Sequence, residues 1–358
     1  MERRVSMADV AAEAGVSGQT VSRVANGLSN VDPATRARVE AAMQRLGYRP
    51  HRAARALRTG RTHTLGVVVA TLASVGNTRM LESLVAAAAA RGYAVVVASL
   101  SVPAANAAPN AVDAAPNAVN AAPDAAPDAA NLPADSAFAA LAEQGVDGAI
   151  VLNEATPAAR AANVPAGMPV VAIDSGGDAR FLAVESDHAG GAAAATRHLL
   201  ARGARTVHHV AGPASAYAAA ERERGWRAAL DEAGIAAPEV RRGDWSAASG
   251  HVAGRSLADD PGVEAVFAAN DQMALGVLRA LHERGRAVPG EVAVVGFDDV
   301  LDAADYWPPL TSVRQDFDAL GARAVSALLA RVEGRDAAAH DIVATSLIVR
   351  ESAPGSSR

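Results

Sequence analysis

The sequence predicts an α/β protein: a small N-terminal helix-turn-helix head followed by a large body of doubly wound parallel sheets in two lobes. Three observations carry this. The first sixty residues are helical in pattern and rich in arginine. From Leu65 onward, short apolar runs alternate with amphipathic stretches of helical period, the texture of buried parallel strands and their crossover helices. At 358 residues the chain also exceeds what one core organises.

Ser6 can cap a first helix whose Val10, Ala11 and Ala14 share one face. Gly15 supplies the turn and Val16 plugs the corner. Ser17 then caps a second helix with Val21 and Val24 facing inward. Gly18, Gln19, Thr20, Ser22 and Arg23 remain outward, hydrogen-bonding groups of the kind that reads base edges in a major groove. By itself this pair also reads as a plain structural hairpin. Asp32-Pro33, a cap followed by proline at the first helical position, launches a third helix to Leu46, and Gly47 ends it. A basic, alanine-rich neck follows over residues 50–61.

Charge separates head from body. Residues 1–61 hold eleven arginines against five carboxylates, a net of +6, so the remainder carries −12 to reach the overall −6. A basic head on an acidic body fits a phosphate-seeking module attached to something else. All 33 basic residues are arginine, which excludes lysine-dependent phosphate loops and Schiff-base chemistry. The absence of cysteine excludes disulfides and thiolate metal sites. His208 and His209 point to opposite faces of a strand, His188 and His198 lack ligand spacing, and no metal or cofactor is expected. With no secretory pattern at the N-terminus and no long apolar run, the chain is expected in the cytoplasm, without a membrane role.

The body's strands are expected at Leu65–Val69, Tyr93–Val97, Gly148–Leu152, Pro169–Ile173, Val207–Ala211, Val263–Ala268 and Val292–Phe297. Helices are expected at Leu81–Ala90, Ala192–Leu200, Glu221–Ala233 and Met273–Arg284. Residues 103–135 interrupt the series with Ala/Pro/Asn/Asp repeats, in which proline prevents a continuous helix and alanine builds no core; they read as a disordered insertion. Ligands of open α/β sheets sit beyond the carboxyl ends of the strands. Those ends place Asp174, Asn270-Asp271 and Asp298-Asp299 together, joined by Arg222, Trp245, Gln315 and Phe317. Carboxylates, amides and a guanidinium bond vicinal hydroxyls, and an indole covers an apolar C–H face, so the set suits a sugar. Singly, Asp298-Asp299 also read as helix caps and Trp245 as a core indole.

The combination Asp9-Val10-Ala11, Val16-Ser17, Thr20-Val21-Ser22-Arg23-Val24, Asn26, Thr35-Arg36, Val39, Ala42 and Leu46-Gly47-Tyr48-Arg49-Pro50 resembles the head of the LacI family of bacterial transcription regulators. Gly243-Asp244-Trp245-Ser246, Ala269-Asn270-Asp271-Gln272 and Val294-Val295-Gly296-Phe297-Asp298-Asp299 extend the resemblance through the body. It implies a head over 1–49, a hinge over 50–61 and a periplasmic-binding-protein-like body over 62–353. Lobe 1 would take about 62–186 and 317–344, lobe 2 about 187–316 and 345–353. It implies DNA contacts from Ser17, Gly18, Gln19, Thr20, Ser22, Arg23, Asn26, Asn30 and Arg52, with Leu57 wedged into the minor groove. Asp174, Arg222, Trp245, Asn270, Asp298, Gln315 and Phe317 would hold a galactoside-like sugar.

The implied protein is a repressor of carbohydrate-utilisation genes, not an enzyme, that leaves double-stranded operator DNA when a sugar binds. Gly18 departs from the resemblance, which places a base-reading tyrosine there, and Ala216 and Ala218 replace hydroxyl-bearing cleft positions. Glu351–Arg358 shows no leucine heptads, so a homodimer is expected. Two other classes fit less well. A sugar-binding protein without a DNA role would lack the basic head, and a glycosidase using Asp174, Asp271 and Asp298 has no acid/base framework in the sequence.

Overall fold

A computed structural model describes residues 5–25, 30–48, 60–100, 133–153, 156–176 and 180–355. The chain divides into two compact units, Met1–His63 and Thr64–Arg358.

In the first unit, α1 (Met7–Ala14), α2 (Gly18–Ala25) and α3 (Pro33–Leu46) enclose a core of Val10, Ala11, Ala14, Val21, Val24, Val39, Ala42 and Tyr48. The expected caps all form. Ser6 and Asp9 make a reciprocal capping box, and Gly15 closes α1 in the left-handed region at φ 64°. Thr20 N donates to Ser17 Oγ at 3.2 Å and Thr35 N to Asp32 Oδ2 at 3.0 Å.

The second unit carries two six-stranded sheets. Its strands are β1 (Thr64–Val69), β2 (Ala94–Ser99), β3 (Gly148–Leu152), β4 (Val170–Ile173), β5 (Leu182–Ser186), β6 (His208–Ala211), β7 (Arg241–Arg242), β8 (Ala265–Ala268), β9 (Ala293–Asp298), β10 (Thr311–Arg314), β11 (His340–Val343) and β12 (Ser346–Ile348). The lobe 1 sheet runs β11-β5-β4-β3-β1-β2 and the lobe 2 sheet β12-β10-β9-β8-β6-β7. Every recorded pairing is parallel except β10 with β12.

Strand alternation assigns each sheet face its helices. In lobe 1, Val67, Val69, Ile150, Leu152, Val171 and Ile173 face α4 (Val75–Ala90) and α11 (Phe317–Val332). Val68, Ala149, Val151 and Ala172 face α5 (Ala134–Glu143) and α6 (Thr156–Ala161). In lobe 2, Val210, Val266, Val292 and Val294 meet α9 (Ala247–Ala258) and α10 (Asp271–Glu283). Phe267, Val295, Phe297 and Val313 meet α7 (His188–Ala201) and α8 (Tyr217–Glu232). The chain passes from lobe 1 to lobe 2 after β5, returns after β10, and crosses again between β11 and β12.

Sequence periodicity missed β5, β7, β10, β11, β12, α5, α6, α9 and α11, and it started α4, α7 and α8 several residues late. The reading of 103–135 needs correction at its end. Residues 101–132 lie outside the described residues, but Pro133 stands immediately before α5, Ala134 and Asp135 belong to that helix, and Asp135 Oδ1 accepts from Asn163 N at 2.6 Å. Proline before a helix start with an acid in the first turn is a helix signal, and the repeat composition concealed it.

α9 and α10 pack backbone to backbone at glycines. A Cβ on Gly276 would stand 2.1 Å from Ala247 O and 2.4 Å from His251 N, and neither backbone atom has room to retreat. Gly276→Ala should therefore cost about 3 kcal/mol, read as a lower urea midpoint with an unchanged slope.

Candidate functional site

The carboxyl ends of the two sheets face each other across a cleft. Asp174, Arg222, Trp245, Asn270, Asp298, Gln315 and Phe317, all singled out in the sequence, line it. Ser74, Gly76, Asn77, Met80, Asn153, Ala216, Tyr217 and Ala218 complete the wall. Asn153 directly follows β3, so the strand-end argument was sufficient to find it; Asn77, in the first turn of α4, carried no such signal. Asp271 and Asp299 turn elsewhere. Asp271 accepts from Val300 N and Ser312 Oγ behind the cleft, and Asp299 is taken by Arg314 and Arg350.

Arg222 is the buried cation of the site. It lies on α8, its Nη1 donates to Ala269 O, and its Nη2 is 3.4 Å from Asp298 Oδ1. Its guanidinium lies 3.8 Å above the Phe297 ring and 5.5 Å from that of Trp245. Nε donates to His188 Nδ1 at 3.3 Å, which leaves the imidazole proton for Nε2, 2.9 Å from Asp174 Oδ1. Ser186 N donates to the same oxygen at 2.9 Å. Ser186 Oγ donates to Gln315 Oε1, and Gln315 Nε2 to Asp298 Oδ1, each at 2.6 Å. The result is a closed polar ring that passes through both lobes and two of the three crossovers. His188, which the sequence reading set aside for lack of ligand spacing, is the link between Asp174 and Arg222.

The two cleft carboxylates are tuned apart. Burial opposes ionisation of Asp174, but His188, the Ser186 amide and Arg222 outweigh it and hold the acid below its ordinary range. For Asp298 burial prevails and lifts it, with Arg222 and Gln315 offsetting only part. Beneath them, burial and the charge of Asp298 push Asp271 well above the usual carboxylate range.

Backbone strain concentrates here. Among the described residues, the non-glycine positive φ angles fall at Asn153, Asp174, Trp245, Asp298 and Asp299, with His63 the only one elsewhere. Asn270 supports the Trp245 backbone, its Nδ2 donating to Trp245 O at 3.0 Å while its Oδ1 caps α10 through Met273 N. Trp245 Nε1 and Asn153 Oδ1 are buried in the cleft wall without a hydrogen-bond partner, a donor from lobe 2 and an acceptor from lobe 1.

In the head, Ser17, Gly18, Gln19 and Arg23 are exposed on α2, as is Asn30 before α3, while Thr20 and Ser22 are half-buried. Ser17 Oγ and Thr20 Oγ1 lie 3.0 Å apart, so these two hydroxyls fix the start of the helix. Asn26, Arg52 and Leu57 lie outside the described residues. No group of three or more His, Cys, Asp or Glu with metal-holding geometry occurs among the described residues, and no helix there is long and apolar enough to cross a membrane.

A helix-turn-helix unit with an exposed polar helix face, joined to a two-lobed body with a polar cleft, defines a ligand-binding regulator of transcription. Residues 6–51 match the family of bacterial regulatory proteins, lacI family, and residues 196–353 the periplasmic binding protein-like domain. The lactose operon repressor of Escherichia coli (strain K12) is 33% identical over 97% of this chain and 90% of its own. The HTH-type transcriptional regulator CelR of Thermobifida fusca is 37% identical over 98% of each. The chain belongs to the lacI family of bacterial regulatory proteins. Among solved structures, the lac repressor dimer bound to operator and the anti-inducer ONPF superposes with a TM-score of 0.79 at 31% identity, covering 99% of this chain and 100% of the other. A CelR–cellobiose complex superposes at 0.67 and 33% identity, covering 98% and 100%.

The Asp271 shift has a signed consequence for stability. Above the ordinary value of 3.8 the unfolded chain releases this proton while the folded chain keeps it. Its stabilising contribution is therefore full below that value and is lost as pH rises through the raised one. Asp271→Asn, which cannot ionise, should gain melting temperature relative to the parent progressively across that window in melts between pH 4 and 8.

Proposed function

We propose that the chain is a dimeric repressor that holds operator DNA through its heads and releases it when a neutral sugar enters the cleft. The observation that carries this is the convergence of seven cleft residues, drawn from both lobes, in a chain that also presents Gln19 and Arg23 on an exposed helix. Gln19 and Arg23 would contact bases, with Gly18 setting the local fit. Arg52 would lie near phosphates, and Leu57 from each subunit would open the minor groove. In the cleft, Trp245 offers an apolar face and the Asp174, Asn270, Asp298 and Gln315 set offers directional acceptors and donors. Arg222, the cation of this set, is already bonded to Asp298, His188 and Ala269, which favours uncharged hydroxylated ligands over sugar phosphates. The relatives named for lactose and cellobiose support a glycoside, and a galactoside is the first candidate.

The cleft acts by binding. The bonds from His188 and Ser186 to Asp174, and from Arg222 and Gln315 to Asp298, each meet one oxygen and fix both carboxylates as hydrogen-bonding groups for a ligand. As a regulator acting on operator DNA, the protein would work in the cytoplasm. Exposed apolar side chains support pairing of subunits: Trp307 (89%), Leu301 (88%), Val252 and Leu275 in lobe 2, and Leu72, Val75, Val85 and Val97 in lobe 1. Ligand occupancy of the lobes would set whether the two necks meet on DNA, a coupling of about 1–3 kcal/mol in such systems.

Four experiments test this reading. Gel shifts on DNA upstream of the protein's own and neighbouring genes, repeated with galactosides and cellobiose, should show a retarded band that one sugar abolishes. Arg23→Ala should weaken that band by at least tenfold while sugar binding by calorimetry stays intact; loss of both would indicate misfolding. Trp245→Ala should leave the band and remove the sugar response. In sedimentation, Leu275→Arg with Trp307→Glu should convert dimer to monomer.

A further inference from the structure

Trp245 enters the cleft wall from a seat that none of the seven sugar-site residues supplies. Its backbone is held in the left-handed region at φ 74°. Asn270 Nδ2 donates to its carbonyl, and on either side Asp244 N donates to Ser249 Oγ and Ser246 N to Asp244 Oδ1, each at 3.0 Å. With the backbone fixed, only the side-chain torsions aim the ring. The Arg222 guanidinium lies 5.5 Å from the ring centre. The outer edge of the indole rests on Gly212, the residue after β6. A Cβ there would stand 2.4 Å from Cη2, 2.5 Å from Cζ2 and 2.7 Å from Cζ3.

Gly212 is buried, and its φ is not positive, so its own backbone conformation does not require glycine. Nor can that backbone withdraw. Ala211 pairs with Arg242 in the β6–β7 ladder and accepts from Gly243 N at 2.8 Å, while Arg242 Nη1 donates to Gly212 O at 3.4 Å. The three atoms nearest to an added Cβ all belong to the indole, so it is the ring that has to yield. Reaching ordinary carbon contact would displace it by about 1 Å. The cleft has a free volume of about 40 Å³, space for roughly one water, so a displaced ring takes room that a ligand needs or swings out of the wall.

We propose that Gly212 is a positioning residue for ligand binding: having no side chain, it seats the edge of Trp245 and so sets the depth at which the indole meets a sugar. Gly212 touches the ligand only through Trp245, and its bare backbone acts as the stop against which the ring is aimed. This rests on the reading that the cleft takes a sugar and that Trp245 covers its apolar face.

The test uses the full chain with Gly212→Ala, Trp245→Ala and the two combined. The chain has three tryptophans, Trp226, Trp245 and Trp307, whose indole N–H resonances are assigned with Trp245→Phe and Trp307→Phe. Without ligand, Gly212→Ala is expected to move the Trp245 resonance and leave the other two in place; an unmoved Trp245 resonance, or equal movement of all three, overturns the proposal. Gly212→Ala is expected to lower the melting temperature of the parent but not that of Trp245→Ala, because removing the ring removes the clash. Equal loss in both backgrounds overturns it. In calorimetry with lactose and with cellobiose, Gly212→Ala is expected to bind at least about tenfold more weakly than the parent, and equal binding overturns the role in ligand binding. If neither disaccharide binds the parent, the sugar reading fails, and the resonances and melting temperatures still decide whether Gly212 seats the indole.

Discussion

The body of this protein depends on the burial of one guanidinium. Arg222 sits in a wall with little access to water, where an unpaired charge would cost several kcal/mol, on the order of 3–5 when one partner of a buried pair is lost. Its demands explain the residues around it. Asp298 supplies the counter-charge, Ala269 a carbonyl, His188 a ring nitrogen, and Phe297 a π-face. Because these partners come from β9, the end of β8, and α7, the cation fixes three elements of lobe 2 at the cleft. Through His188 it also reaches Asp174, at the end of a lobe 1 strand.

That connection makes the cleft floor a poor place for independent movement. Ser186 and Gln315 stand at two of the crossovers between lobes, and both belong to the ring that contains Asp174 and Asp298. A change in the angle between lobes has to pass through these crossovers and so alters those bonds. A ligand shifts such an arrangement only by contacting its two states unequally. Side chains contributed from both sheets are the ones able to do so, since their spacing is what changes. The positive φ angles at Asn153, Asp174, Trp245 and Asp298 belong to the same logic. Strand ends are turned sharply there to aim side chains inward, and the surrounding hydrogen bonds hold them.

The head is built on a different balance. It has a small core of valines and alanines with one tyrosine, and three helices that start at side-chain caps, two of which, α1 and α3, end in left-handed glycines. Caps contribute about 1 kcal/mol each, a large share in a unit this small. Spending Ser17 and Thr20 on the start of α2 leaves Gly18, Gln19 and Arg23 on the exposed face.

What the sequence determined alone is what local chemistry encodes. Caps, turn glycines and the period of apolar residues depend on neighbours a few positions away, so the three head helices and most of the parallel strands were legible. The rule that ligands meet the carboxyl ends of strands then placed Asp174, Asn270 and Asp298, which the fold brings to one cleft with Arg222, Trp245, Gln315 and Phe317, although it also nominated Asp271 and Asp299, which lie outside it. Tertiary structure alone decided the rest. The sheet orders, the short strands β5, β7, β10, β11 and β12, and the places of His188 and Asn77 at the cleft arise from contacts between segments far apart in the chain. A histidine with no ligand spacing becomes the link in a buried ring because β5 hands it to the neighbourhood of Arg222, 34 residues away. No pattern in either segment records that meeting, because the energy that enforces it comes from burying both together.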